Sequence, residues 1–160
     1  MGNPKSFMTI PRKEAGYRPI HDRIHDFTEV EQTLNTKDRQ EQAGRCMECG
    51  VPFCHWACPT GSKIPEWNDA LYRGDFEEAY RLLTLTNDFP EFTGRVCPAL
   101  CEKSCVLNHA FHAPTTNREN EAAIAEKAFG EGFITPRTIV RNGYKVAVIG
   151  SGPSGLAVAN

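Results

Sequence analysis

Seven cysteines fall in two tight groups, and nothing else in this 160-residue chain restricts its fold as much. The first group reads Cys46-x2-Cys49-x4-Cys54-x3-Cys58 and is followed at once by Pro59. The second reads Cys97-x3-Cys101-x3-Cys105. Thiols at this density either form disulfides or ligate a soft metal. The odd count, and the lack of a signal-type apolar core in Met1 to Pro11, speak against a disulfide scaffold. The spacing reads as the ligands of two cubane iron–sulfur clusters. Two four-ligand clusters need one ligand more than the thiols supply, so one ligand is not cysteine.

A hydrophobic fraction of 40% and a net charge of −2 describe a soluble chain, with no reason to expect nucleic acid or a membrane surface as partner. No apolar run approaches the ~20 residues of a membrane span. The expected compartment is the cytoplasm, where thiols stay reduced.

The chain divides into three zones. Residues 1–27, with Met8 to Phe27 rich in Pro, Arg and His and lacking periodicity, read as an extended arm. Residues 28–143 carry every cysteine and read as an all-α domain. Thr28-x-x-Glu31 looks like a capping box, with Val30 and Leu34 one turn apart, and a further helix around Lys37 to Cys46 delivers the first thiol. Pro65 suits a first helical turn ahead of the stripe Trp67, Ala70, Leu71, which Gly74 ends. Asp75 caps a helix with Phe76, Ala79, Tyr80 and Leu83 on its buried face, stopped by Asn87 to Pro90. A last helix runs from Arg118 to Glu131, with Thr116-x-x-Glu119 as its capping box.

Residues 144–160 change character. Lys145-Val-Ala-Val-Ile149 is patterned as a buried parallel strand. Gly150-Ser151-Gly152-Pro153-Ser154-Gly155 follows, and Leu156 onward begins a helix, which is the strand–turn–helix start of a dinucleotide site. A βαβ unit needs about 30 residues, so the chain reads as a fragment whose Rossmann-type domain is cut off at its first turn.

If helical, Cys97, Cys101 and Cys105 line one face, with neighbours ~6 Å and end members ~12 Å apart along the axis. Such a helix feeds two clusters, and Pro98 fits its first turn. In the bacterial ferredoxin run the cysteine before proline ligates the other cluster. A crossed assignment follows: Cys46, Cys49, Cys54 and Cys105 for cluster one, and Cys58, Cys97 and Cys101 for cluster two. Exchanging Cys97 and Cys105 satisfies the spacing equally well. His55, His109, His112, Glu102 and Glu121 are candidates for the missing ligand. Glu121 shares a helical face with Ile124, Ala125, Ala128 and Phe129, where a carboxylate needs compensation that an iron ion supplies. Arg45 and Arg95 flank the first cysteine of each motif, where a cation offsets cluster charge.

The stretches Arg45-Cys-Met-Glu-Cys-Gly-Val-Pro-Phe-Cys-His-Trp-Ala-Cys-Pro59, Ile64-Pro-Glu-Trp-Asn-Asp69 and Asn87-Asp-Phe-Pro-Glu-Phe-Thr-Gly-Arg-Val-Cys-Pro98 resemble the small (β) subunits of NADPH-dependent glutamate synthases. The arm Ile10-Pro-Arg-Lys-Glu-Ala-Gly-Tyr-Arg-Pro19 resembles them too. The cysteine pattern is shared with dihydropyrimidine dehydrogenase and with flavin subunits of ferredoxin-linked oxidoreductases. The resemblance implies a helical ferredoxin-like domain with two [4Fe–4S] clusters. It implies Glu121 as the eighth ligand, and the turn Gly150 to Gly155 as an FAD-binding turn. Electrons would pass from NADPH to FAD, through the clusters, to FMN in a large (α) subunit that makes glutamate from glutamine and 2-oxoglutarate. The fragment alone is not expected to be catalytic. The same module in another flavin-dependent oxidoreductase, or a zinc-bound structural module, are the alternatives.

Overall fold

The computed structural model describes residue 3, residues 5–136 and residues 138–160; residues 1, 2 and 4 of the expected arm, and residue 137, lie outside the described residues. Eleven helices are formed among them, and the only β pairing is an isolated antiparallel bridge between Tyr17 and Glu31. In chain order they are α1 (Ser6–Thr9), α2 (Ile20–Arg23), α3 (Thr36–Ala43), α4 (Phe53–Ala57), α5 (Ile64–Tyr72) and α6 (Phe76–Leu83). Then come α7 (Pro90–Val96), α8 (Leu100–Lys103), α9 (Val106–Phe111), α10 (Asn117–Glu131) and α11 (Pro153–Ala159).

Local chemistry sets the longer helices. Asn35 caps α3, accepting from the Asp38 N–H at 2.9 Å, and Asp75 caps α6, accepting from the Glu78 N–H at 3.1 Å. Pro65 sits in the first turn of α5 as its spacing requires. Between α5 and α6 the chain reverses through Gly74, whose φ of 81° an L side chain rarely adopts. Trp67, Ala70, Leu71, Ala79, Leu83 and Ile124 join α5, α6 and α10 in one core. Each fully buried large apolar side chain contributes roughly 1.5–3 kcal/mol relative to exposure. The indole of Trp67 also donates to Ser62 Oγ at 3.0 Å, so its polar edge is not left unpaired. α10 is the central element and packs on α3, α5, α6, α7 and α8. Its crossing with α7 is very close: a Cβ on Gly94 would lie 2.7 Å from the Ala122 nitrogen.

The structure departs from the sequence expectations at five places. The arm holds the short helices α1 and α2 and is not extended throughout. Residues 28–34 do not form a helix. The Asp26 carboxylate takes the Thr28 N–H at 2.9 Å and the Thr28 hydroxyl at 2.6 Å, a local turn that competes with helix nucleation. This segment instead runs back along the arm, with Arg18 N–H donating to Val30 O at 2.9 Å.

Cys97, Cys101 and Cys105 do not share one helix. Cys97 precedes Pro98, which disfavours helical backbone before it, and Cys97 is extended at φ −64°, ψ 134°. Cys101 lies in α8, and Cys105 is again extended at φ −60°, ψ 135°. Pro98 therefore lies in the break that follows α7, not in a first helical turn.

Thr116 and Glu119 form no capping box. The Thr116 hydroxyl donates to Asn120 Oδ1 at 3.1 Å, while Glu119 is held by Arg39 at 3.1 Å.

At the C-terminal end residues 145–149 form no strand. Among the described residues no neighbour pairs with their backbone, and Val146 and Ile149 are exposed. A helix does follow the glycine run, but α11 starts at Pro153, ahead of the expected Leu156. Gly155 packs so tightly on the turn that a Cβ there would lie 2.3 Å from the Gly150 carbonyl oxygen.

Candidate metal centres

The first cysteine group leaves α3 at Gly44 and enters the site through a turn. Glu48 holds a left-handed φ of 48° between Cys46 and Cys49, and its N–H stabilises the Cys46 sulfur. The second group repeats the device. Ala99 has a φ of 54°, and its N–H donates to Cys97 Sγ at 3.4 Å. Left-handed backbone at a residue with a Cβ costs roughly 1–2 kcal/mol. Here each strained residue aims an amide at a sulfur two residues back.

Helix packing then sorts the thiols into two sets. Cys46, Cys49 and Cys54 share the lining of one cavity with Cys105, which arrives from the start of α9. The partners that Cys101 meets are different: the thiols whose charge bears on it are Cys58 and Cys97. α4 packs against α8, which brings Cys58, at the end of α4, towards Cys101. Cys105 thus lies beside Cys46, Cys49 and Cys54, and Cys97 lies near Cys101. All seven thiols are free, so no disulfide joins them. Among the described residues no three Cys, His, Asp or Glu side chains converge tightly enough for a single metal ion. Four thiols around one cavity are soft ligands of the kind that suit an iron–sulfur group.

Burial, with neighbouring thiols adding to it, pushes Cys46 up to about 12 and Cys54 up to about 11. Cys101 is also pushed up to about 12, by burial first and by Glu102 second, against the stabilising amide of Asn117. Thiolates are thus costly here without a cation, and a bound metal inverts that cost.

Glu121 lies on α10 facing α7, where its Oε1 accepts from the Asn87 amide at 3.0 Å and from the Thr93 hydroxyl. Burial raises its pKa, and these two donors oppose the shift. The Thr93 carbonyl accepts from the Cys97 N–H at 3.0 Å, so one residue links Glu121 to the turn carrying Cys97. Ile124, Ala125 and Ala128 on the same stripe are buried, whereas Phe129 is exposed. The other ligand candidates have different surroundings. His55 faces Glu66 at 3.2 Å. Glu102 holds Arg12 at 2.8 Å and the Arg118 N–H at 2.9 Å. His109 and His112 are exposed. The loop Gly150 to Ser154 is exposed as well.

A buried polar chain behind the site has no signature in the sequence. Arg39 donates to Asn120 at 3.1 Å, Asn120 to Asn68 at 2.8 Å, and Asn68 to Asn117 at 3.0 Å. Asn117 lines the cavity of the first thiol set and also borders Cys101. Asparagines usually signal surface or turns, and only their placement on the inner faces of α5 and α10 reveals the relay.

The profile of the family described as dihydropyrimidine dehydrogenase domain II, 4Fe-4S cluster, matches residues 23–132. Over 99% of its length the chain is 46% identical to the glutamate synthase [NADPH] small chain of Mycobacterium tuberculosis, covering 33% of that protein. It is 44% identical over its whole length to the small chain of Bacillus subtilis, covering 34% of it. It is also 44% identical over 98% of its length to the glutamate synthase [NADH] of Schizosaccharomyces pombe, covering 8% of that protein. The chain thus spans about a third of the bacterial relatives it matches. Among the described residues no helix is long and apolar enough to cross a membrane.

Proposed function

The chain belongs to the family of the dihydropyrimidine dehydrogenase domain II, 4Fe-4S cluster, and from that premise we propose that it is the electron-transfer domain of a glutamate synthase small subunit. Cys46, Cys49, Cys54 and Cys105 would hold one [4Fe–4S] cluster. Cys58, Cys97, Cys101 and Glu121 would hold a second. The observation that carries this reading is the meeting of four thiols from three separate segments around one cavity. When bound, such clusters supply one-electron carriage between groups that exchange electrons in pairs.

The chain's own contribution is to place and insulate the ligands. The Ala99 N–H and the Thr60 hydroxyl, 3.2 Å from Cys58 Sγ, put hydrogen-bonding groups at the sulfurs. Hydrogen bonds and burial are what set the potential of such a centre. The donor side would be NADPH and FAD, bound by further domains of the full-length protein, with Gly150 to Gly155 as the start of the FAD site. The acceptor would be FMN in a large subunit that forms glutamate from glutamine and 2-oxoglutarate, in the cytoplasm.

Anaerobic reconstitution with iron and sulfide tests the reading. The expected product is brown, with equal iron and acid-labile sulfide filling both thiol sets. A colourless protein that takes up stoichiometric zinc and no sulfide would reject it. Failure of the full-length protein to support glutamate formation with the large subunit would reject the assignment to glutamate synthase alone.

A further inference from the structure

Arg45 and Arg95 occupy similar places in the sequence, and the fold separates them. Arg95 is paired with Glu29 at 2.5 Å and Glu126 at 2.6 Å, so its charge is already balanced. Arg45 is 2% exposed, and its three donor nitrogens reach backbone carbonyls: Nε to Ile10 at 3.0 Å, Nη1 to Pro114 at 2.9 Å and Nη2 to Ala113 at 2.7 Å. Among the described residues none of its partners is a carboxylate. The other buried arginine, Arg39, does have one, in Glu119. Arg12 makes matters worse by donating to the same Pro114 carbonyl at 2.8 Å, and the nearby Glu102 and Glu14 are taken by Arg12 itself. Arg45 directly precedes Cys46, and its partner Pro114 directly precedes Thr115; Cys46 and Thr115 both line the cavity of the first thiol set. A buried charge needs an opposite charge, and carbonyl dipoles supply only part of it.

We infer that Arg45 is the counter-cation of the Cys46, Cys49, Cys54 and Cys105 set, and that its charge raises the reduction potential of the cluster this set holds. This rests on the proposal above that the set holds one. A fixed cation stabilises the reduced, more negative form, so its removal makes the potential more negative.

The test compares wild type, Arg45→Gln and Arg45→Lys in the intact protein, reconstituted without air, by redox titration followed by electron paramagnetic resonance. In Arg45→Gln one cluster is expected to shift to a more negative midpoint while the other stays. Arg45→Lys, which keeps the charge, is expected to stay near wild type. Selective loss of one cluster in Arg45→Gln, with both kept at wild-type potentials in Arg45→Lys, also supports the inference. Unchanged midpoints in an iron-replete Arg45→Gln protein, or equal loss of iron in both variants, overturns it. A wild type without iron and sulfide sinks the underlying cluster reading instead.

Discussion

The side-chain amide of Asn87 donates to Glu121 Oε1 at 3.0 Å, so the segment ahead of α7 is tied to the middle of α10 through one carboxylate. If that carboxylate is also the eighth ligand, Glu121→Ala removes the support of one cluster only. The expected result is loss of about half the iron and sulfide, with the signal of the Cys46, Cys49, Cys54 and Cys105 set retained. Unchanged iron would rule Glu121 out as a ligand.

The α7–α10 crossing tolerates nothing larger than glycine at position 94, because a Cβ would meet Ala122 backbone at 2.7 Å. Gly94→Ala should destabilise the protein by about 1–3 kcal/mol through overpacking, measured as a lower urea midpoint. It should also loosen the turn at Cys97, which begins where α7 ends.

Arg39 is buried, and Glu119 is its carboxylate partner at 3.1 Å. Glu119→Gln leaves that guanidinium without a counter-charge and should cost about 3 kcal/mol. The double variant Arg39→Met with Glu119→Gln should recover much of the loss, which a thermal double-mutant cycle would reveal.

Ala99 holds φ at 54° beside Cys97. Ala99→Gly relieves a conformation that glycine adopts freely, and should raise stability by about 1 kcal/mol. Thermal unfolding of the reconstituted protein checks it; a lower midpoint would contradict the strain.

In the metal-free protein the raised thiols make stability fall in alkali. Cys46 and Cys101 move from an ordinary 9.0 to about 12 on folding. Between those values the unfolded chain has released protons that the folded chain still binds, so unfolding becomes easier as pH rises. In the loaded protein the sulfurs carry no proton and this decline should vanish. Urea midpoints against pH, with and without metal, make the comparison.

Two dense thiol groups were legible from cysteine spacing alone, which left open which set takes Cys97 and which takes Cys105. Legible in the sequence too were the Pro65 helix start, the Asp75 cap and the buried stripe Trp67, Ala70, Leu71. These are features of neighbours along the chain, where spacing and side-chain type act directly on backbone and periodicity. Other features needed the folded chain: the breaks that put Cys97, Cys101 and Cys105 on separate elements, the docking of residues 28–34 along the arm, and the Asn120–Asn68–Asn117 relay. So did the contrast between Arg95, paired with two carboxylates, and Arg45, held by backbone carbonyls. Each depends on which distant group lies opposite a side chain once α10 is packed, and a linear pattern carries no record of charges and carbonyls that meet only across the core.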